Sequence, residues 1–99
     1  MGKEQVLRAL AEPRRQAILR LIRDQPRSAG EIGRRFDISQ QAVSQHLQVL
    51  AGARLVSVRR EGARHVYAIN PEGLKTLEHF LADLWPSGLE RLKRAVEGR

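Results

Sequence analysis

Four polar, uncharged side chains near the middle of the chain follow one another at intervals of three, one and three residues: Gln41, Ser44, Gln45 and Gln48. On an α-helix this spacing places all four on one face. A glutamine amide can pair bidentately with an adenine edge, and a serine hydroxyl can bond several base edges. Exposed faces more often carry lysine and glutamate, yet no charged residue occurs at positions 40–52. The pattern favours a helix that contacts DNA bases over an ordinary solvated polar face.

Polar and basic residues also precede this predicted recognition helix, residues 40–52. Ser39 is expected to cap the helix, because its hydroxyl can accept a hydrogen bond from a backbone N–H of the first turn. A phosphate contact by Ser39 would be secondary. Gln40 is a further candidate for a base contact. Arg34 and Arg35 end the preceding helix and are candidates for contacts with the DNA backbone, with simple solvent exposure as the alternative.

A β-hairpin is predicted at residues 55–69, hereafter the wing. Its two halves have the alternating or β-branched character of strands, and a Glu-Gly-Ala turn separates them. Arg59, Arg60 and Arg64 flank this turn. Arginine at the tip of a hairpin can bond phosphates or enter a narrow minor groove. DNA contacts are therefore predicted for these three arginines, with a solvated turn as the alternative.

The positive charge of the chain is concentrated in its first two-thirds. The 99 residues include 18 Lys+Arg and 11 Asp+Glu, which gives a net charge of +7. Residues 5–64 hold twelve arginines and five acidic residues, whereas residues 65–99 hold five basic and five acidic residues. A polyanion such as nucleic acid would be attracted to the first segment, and arginine suits phosphates and guanine edges. A solvated basic face is the alternative.

Several classes of function are excluded by what the sequence lacks. There is no cysteine, which excludes disulfides, thiolate metal sites and cysteine nucleophiles. No apolar run approaches about 18 residues and the N-terminus has no signal-peptide core, so we expect a cytoplasmic protein without a membrane partner. No HExxH motif or glycine-rich phosphate loop is present, so we do not expect an enzyme.

Periodic apolar residues and helix-starting residues predict three helices before the recognition helix. These helices span residues 3–10, 13–25 and 28–36. The third begins with a capping-box pattern, Ser28 with Glu31, in which two side chains satisfy backbone N–H groups reciprocally. About three residues connect it to the recognition helix, which is the arrangement of a helix-turn-helix.

A final helical segment, residues 71–97, follows the wing. Asn70 and Pro71 suit the N-cap and the first position of this helix. Leucines recur after them at helical spacing, and Pro86 with Gly88 is expected to kink or break the helix. The predicted fold is therefore mainly α with a β-hairpin wing, in the order α-α-α-α-β-β-α. It forms a single winged helix-turn-helix domain over residues 1–99.

Three segments of the chain resemble the ArsR/SmtB-type winged helix repressors. They are residues 10–19 (LAEPRRQAIL), 38–50 (ISQQAVSQHLQVL) and 55–67 (LVSVRREGARHVY). They are similar, respectively, to the entry helix, the recognition segment and the wing of that family. The resemblance covers residues 5–70 well and the last helix loosely. It implies a homodimer that binds double-stranded DNA at a pseudo-palindromic operator and represses transcription.

The same resemblance implies that the first and last helices, residues 3–10 and 71–97, form the dimer interface. This fits the balanced charge and the apolar stripe of the last segment. The residues expected at the interface are Val6, Leu7, Leu10, Leu74, Leu77, Phe80, Leu81, Leu84 and Trp85. The alternative is that these helices pack only within their own chain.

The chain departs from the metal sensors of this family. Arsenic and cadmium sensors place a cysteine pair in the helix before the recognition helix, where residues 31–36 are EIGRRF. Zinc and nickel sensors use histidine and carboxylates on the last helix, and His79 and Asp83 lie there at i and i+4. Two such residues per subunit could complete a tetrahedral site only across a dimer. We expect no metal and no cofactor; His79 and Asp83 are the candidate ligands if a metal binds. His46 is expected to pack or to bond phosphate.

A second interpretation is a winged-helix module that contacts another protein or RNA, with a basic face that is incidental. A partner that competes with DNA, or replaces it, would discriminate this interpretation from a DNA-binding repressor. A metal-responsive repressor is a further variant, which calorimetry with zinc or nickel would test. The sequence identifies neither the operator nor an inducer.

Overall fold

The computed structural model describes residues 2–98, apart from the side chain of Leu89, and contains six helices and three strands within these residues. In chain order the elements are α1 (Lys3–Leu10), α2 (Pro13–Asp24), β1 (Arg27–Ser28), α3 (Ala29–Phe36), α4 (Gln40–Gly52), β2 (Val56–Glu61), β3 (Arg64–Ile69), α5 (Pro71–Leu84) and α6 (Gly88–Glu97). The recognition helix is α4, and β2 and β3 form the wing. The predicted helix-turn-helix followed by a hairpin is confirmed.

Short polar side chains start three of these helices, as the sequence predicts. The Ser28 hydroxyl accepts a hydrogen bond from the Glu31 backbone N–H at 3.2 Å, and Glu31 Oε1 accepts one from the Ser28 N–H at 2.9 Å. The Ser39 hydroxyl accepts from the Ala42 N–H at 3.1 Å, and Asn70 caps α5 in the same way. Each such cap stabilises its helix by about 1 kcal/mol, so the starts of α3, α4 and α5 are set by local chemistry.

Residues 37–39 turn the chain between α3 and α4. Asp37 adopts the left-handed conformation (φ 53°, ψ 48°), and its N–H donates to the Gly33 carbonyl. Aspartate is one of the few residue types that tolerate this conformation. The two helices approach closely at Gly33, where an added Cβ would overlap the Gln40 amide and lie 3.3 Å from Val43 Cγ2. Glycine at this position therefore leaves room for the side chains of Gln40 and Val43 from α4.

A three-stranded antiparallel sheet joins the wing to the start of α3. The strand order is β1-β3-β2, and Ser28 of β1 pairs with Val66 of β3. Gly62 at the wing turn has a φ of +62°, which glycine adopts without steric cost. The sequence did not predict β1, because a two-residue strand has no periodicity and exists only through its pairing with β3.

The hydrophobic core lies between the helix-turn-helix and the base of the wing. The largest fully buried side chains are Ile18, Ile22, Ile32, Val43, Leu47, Leu50 and Leu55. They come from α2, α3, α4 and the residue before β2. Burial of each contributes about 1.5–3 kcal/mol relative to exposure. The recognition helix is therefore held by one apolar face, which leaves its other face free for a partner.

The helical segment over residues 71–97, which Pro86 and Gly88 are expected to kink or break, forms two helices. α5 ends at Leu84, and Trp85 is non-helical with φ −145° and ψ 82°. Proline lacks a backbone N–H and restricts the residue before it, so Pro86 ends α5 and separates it from α6. The Trp85 ring lies against Gly88, where an added Cβ would overlap the indole. No helix among the described residues is long and apolar enough to cross a membrane.

Candidate nucleic-acid interface

The recognition helix has an apolar face toward the core and a polar face toward solvent. Val43, Leu47 and Leu50 are buried. The exposed residues of the same helix include all four that the sequence grouped: Gln41, Ser44, Gln45 and Gln48. The predicted sharing of one exposed face is confirmed, whereas their contact with DNA bases stays a prediction.

A concave groove of about 730 Å³ separates the recognition helix from the wing. It is lined by residues of α3, α4 and β3, among them Glu31, Arg34, Gln40, Ser44, Arg64, His65 and Tyr67. Two predicted base-contact residues, Gln40 and Ser44, and two predicted backbone-contact residues, Arg34 and Arg64, thus meet in one concavity, although Arg64 is distant from the others in sequence. The arrangement can present amide and hydroxyl groups to base edges while guanidinium groups meet the flanking backbone.

The three arginines of the wing are exposed, and each is held by an acceptor of its own chain. Arg59 Nη2 lies 2.7 Å from Glu61 Oε2, and Arg60 Nε donates to a backbone carbonyl at 3.3 Å. Arg64 Nη2 lies 3.2 Å from Glu31 Oε1. The side chains of Arg59 and Arg64 remain 58% and 59% exposed. All three guanidinium groups are therefore accessible to a polyanion that offers better acceptors.

The two arginines at the end of α3 point to different surfaces. Arg34 lines the groove beside the recognition helix, whereas Arg35 lies in a separate depression with residues of α2. Consecutive residues of an α-helix are rotated by about 100° around its axis. Of the two arginines predicted to contact the DNA backbone, the structure therefore brings Arg34 to the groove with the other predicted DNA contacts, and it does not bring Arg35 there.

A polar cluster beneath the recognition helix connects it to α1 and α2. Arg15 Nε donates to the Ala9 carbonyl at 2.8 Å, and Arg15 Nη1 lies 3.4 Å from His46 Nδ1. Glu12 Oε2 lies 3.5 Å from the same histidine nitrogen. His46 is half-buried, so the expectation that it packs is confirmed. Sequence reasoning missed Glu12 and Arg15, because only the tertiary fold brings α1 and α4 together at this point.

Two carboxylates at this interface have lowered pKa values. The backbone N–H of Arg14 donates to Glu12, and this bond, with nearby His46 and Arg15, lowers the Glu12 pKa below its ordinary value of 4.5 against the opposing effect of burial. Hydrogen bonds from the backbone and hydroxyl of Ser28 are the main causes of the lowered Glu31 pKa, and Arg64 adds to them. Both groups are therefore ionised at neutral pH, because hydrogen bonds to a carboxylate favour its charged form.

Part of the predicted dimer surface is exposed and part is used within the chain. The exposed residues are Leu7 (38%), Leu74 (42%), Leu81 (39%), Leu84 (66%) and Trp85 (49%). Leu10 and Leu77 pack partly against the core, and Phe80 is half-buried with Lys3 Nζ 5.7 Å from its ring centre. Val6 is 3% exposed and belongs to the core of its own chain. The structure therefore removes Val6 from the predicted partner surface, since its face of α1 packs inward.

Comparison with known proteins places this architecture in a family. The family model described as "Helix-turn-helix domain" matches residues 10–59. The chain is 41% identical over 89 residues to the HTH-type transcriptional regulator Rv2034 of Mycobacterium tuberculosis, an alignment that covers 90% of this chain and 83% of the relative. It is 35% identical to the transcriptional repressor SdpR of Bacillus subtilis, over 66% of this chain and 72% of that protein.

Comparison with a solved structure identifies the family more specifically. The solution structure of Mb0332 from Mycobacterium bovis is described as a homodimeric winged helix-turn-helix DNA-binding domain of a possible ArsR-family regulator. It superposes with a TM-score of 0.69 at 32% identity, covering 89% of this chain and 82% of that one. The chain belongs to the ArsR family. The two relatives named above are a transcriptional regulator and a transcriptional repressor.

This ArsR-family chain has no cysteine that could bind a metal ion. The helix before the recognition helix carries no cysteine, since the chain has none. His79 and Asp83 are both exposed on α5. Within residues 2–98, no group of three or more histidine, aspartate or glutamate residues comes close enough to hold a metal ion. A structural zinc site takes four protein ligands and a catalytic one takes three, so the described part of one subunit offers neither kind.

Proposed function

We propose that this protein is a homodimeric transcriptional repressor that binds a two-fold symmetric DNA operator. The recognition helix lies in the major groove and the wing contacts the adjacent backbone or minor groove. The observation that carries the proposal is the uncharged polar face of α4, exposed beside a groove that Arg34 and Arg64 border. A B-DNA major groove is about 12 Å wide and admits one α-helix.

Specificity is assigned to the glutamines and the serine of α4. Gln41 and Gln45 each present a donor and an acceptor to an adenine edge, and Ser44 bonds a neighbouring base. Gln40 and Gln48 lie at the two ends of this set of residues and extend the proposed contact with the bases. The Ser39 hydroxyl is engaged by the helix cap at 3.1 Å, so its contribution is to hold the first turn of α4 in place.

Affinity is assigned to the arginines that frame the recognition helix. Arg34, Arg59, Arg60 and Arg64 are exposed and lie on the α3 and wing sides of α4. Contacts between arginine and phosphate release condensed counterions, so binding weakens with salt by a slope of about −0.9 per contact. These contacts position the protein and carry no sequence information by themselves.

The homodimer is supported by the exposed apolar residues of α1 and α5. A soluble monomer rarely exposes a large contiguous apolar surface, and Leu84 and Trp85 are 66% and 49% exposed. The Mb0332 domain, which has the same fold, is described as a homodimer. Two recognition helices about one DNA turn apart would then contact two half-sites of a palindrome.

Fluorescence anisotropy tests this proposal. Duplex DNA from upstream of the protein's own reading frame and a scrambled duplex are titrated at low and near-physiological salt, with a chelator present. We expect a cognate affinity about 10³-fold or more above the scrambled one, and repression of a reporter that carries the cognate sequence. If the upstream duplex and duplexes selected from random DNA all bind no more tightly than the scrambled duplex, the proposal is contradicted and an RNA or protein partner is favoured.

A further inference from the structure

We propose that Glu31 is a built-in competitor of DNA phosphate for the wing arginine Arg64. In the unbound protein the Glu31 carboxylate holds the Arg64 guanidinium, and a phosphate must displace this carboxylate when DNA binds. The inference rests on the proposed function, because it assumes that Arg64 contacts the DNA backbone. In this proposal Glu31, an acidic residue of α3, sets the affinity of the protein for DNA of any sequence.

The strand register places these two residues beside each other. β1 pairs antiparallel with β3, with Ser28 opposite Val66. Chain continuing from Ser28 into α3 therefore runs past the residues that precede Val66 in β3. Glu31 Oε1 lies 3.2 Å from Arg64 Nη2, although the residues are 33 positions apart in sequence. The pairing of β1 with β3 therefore brings the two residues together, and the contact does not depend only on the rotamers of two exposed side chains.

The carboxylate is fixed whether or not Arg64 is present. The Ser28 N–H donates to Glu31 Oε1 at 2.9 Å, within the capping box of α3. That bond is the largest cause of the lowered Glu31 pKa, and Arg64 is a lesser one. Glu31 therefore stays ionised at neutral pH and does not release Arg64 by taking up a proton. Release requires a competing anion in the groove.

A DNA phosphate is a suitable competitor. Glu31 engages Arg64 through one nitrogen, and the arginine side chain remains 59% exposed at the groove that holds Gln40 and Ser44. Phosphate can bind a guanidinium with two parallel hydrogen bonds. The adjacent pair Arg59–Glu61, with a contact of 2.7 Å, shows the same type of carboxylate restraint. The wing thus presents less free positive charge than its three arginines suggest.

Glu31→Gln tests the inference, because glutamine also fits the third position of a capping box but carries no charge. Exposed ion pairs of this kind correspond to a change of about two- to five-fold in an equilibrium constant. We expect Glu31→Gln to bind a scrambled duplex about two- to five-fold more tightly than wild type. The gain should be equal on a cognate duplex, because phosphate contacts do not depend on sequence.

Asp37→Asn is the matched control, since it removes one negative charge from the other end of α3 and asparagine tolerates the left-handed conformation of residue 37. A cycle with Arg64→Ala isolates the pair. If Glu31 acts through Arg64, the gain from Glu31→Gln exceeds that of Asp37→Asn and falls to the control level in the Arg64→Ala background. An equal gain in both backgrounds, or weaker binding by Glu31→Gln, would overturn the inference.

A measurement without DNA keeps this test independent of the operator. In the free protein, the Arg64 side-chain N–H resonances should shift in Glu31→Gln and stay unchanged in Asp37→Asn. Unshifted Arg64 resonances in a folded Glu31→Gln variant would also overturn the inference. This test also distinguishes failure of the inference from failure of the proposed function. If the proposed function is wrong, the cognate and scrambled duplexes bind with equal affinity, whereas the inference is tested on the scrambled duplex alone.

Discussion

Replacing Gln45 by alanine separates DNA specificity from stability. The Gln45 side chain is exposed on α4, and alanine is a slightly better helix former, so the free energy of unfolding should change by no more than about 0.5 kcal/mol. A bidentate glutamine–adenine pair gives about 1–3 kcal/mol of discrimination. Because a homodimer carries the substitution at both half-sites, the loss doubles to about 2–6 kcal/mol, or at least about 30-fold in cognate affinity.

Anisotropy titrations with cognate and scrambled duplexes provide the assay for this variant, with thermal unfolding measured in parallel. Gln25→Ala is the control, because Gln25 is an exposed glutamine that follows α2 and lies off the recognition helix. We expect Gln45→Ala to lose affinity only for the cognate duplex and Gln25→Ala to lose none. A parallel loss on both duplexes, or an unchanged cognate affinity, would refute the assignment of Gln45 to base contact.

Three further predictions concern the core, the dimer and the response to acid. Leu47→Ala removes a side chain that is 2% exposed and should cost about 2–5 kcal/mol of unfolding free energy in a denaturant titration; a loss below 1 kcal/mol would contradict the assigned core. The double variant Leu81→Gln/Leu84→Gln should sediment as a folded monomer and lose cooperative binding, whereas an intact dimer would show that another face associates. Folding lowers the pKa values of Glu12 and Glu31. Their contribution to the free energy of unfolding is therefore full above about pH 4.5, and it is lost as the pH falls through their pKa values in the folded protein. The melting temperature should therefore fall more steeply with acid in wild type than in Glu12→Gln, and identical slopes would contradict this.

Local patterns were sufficient to predict most helices and the exposed face of α4. The starts of α3, α4 and α5 depend on Ser28, Ser39 and Asn70, whose side chains bond backbone groups only a few residues away. The polar face of α4 follows from helical periodicity alone. Such features require no knowledge of what packs against them, which is why the sequence was informative about them.

Features that depend on tertiary pairing were not predictable in the same way. β1 exists because Ser28 pairs with Val66, and the Glu31–Arg64 contact follows from that register. Only the packing of α3 shows that Arg34 lines the groove while Arg35 lies beside residues of α2. Val6 has the periodicity of an interface residue, yet its face of α1 is the one that packs into the core.

The central claim is that the polar face of α4, together with the wing, is the surface that binds operator DNA. The most direct test is chemical-shift mapping by NMR of the homodimer titrated with a cognate duplex. We predict that backbone and side-chain amide shifts concentrate on residues 40–48 and on the wing arginines, with smaller changes from the scrambled duplex. Shifts confined to α5 and α6, with the α4 glutamine side chains unchanged, would contradict the claim.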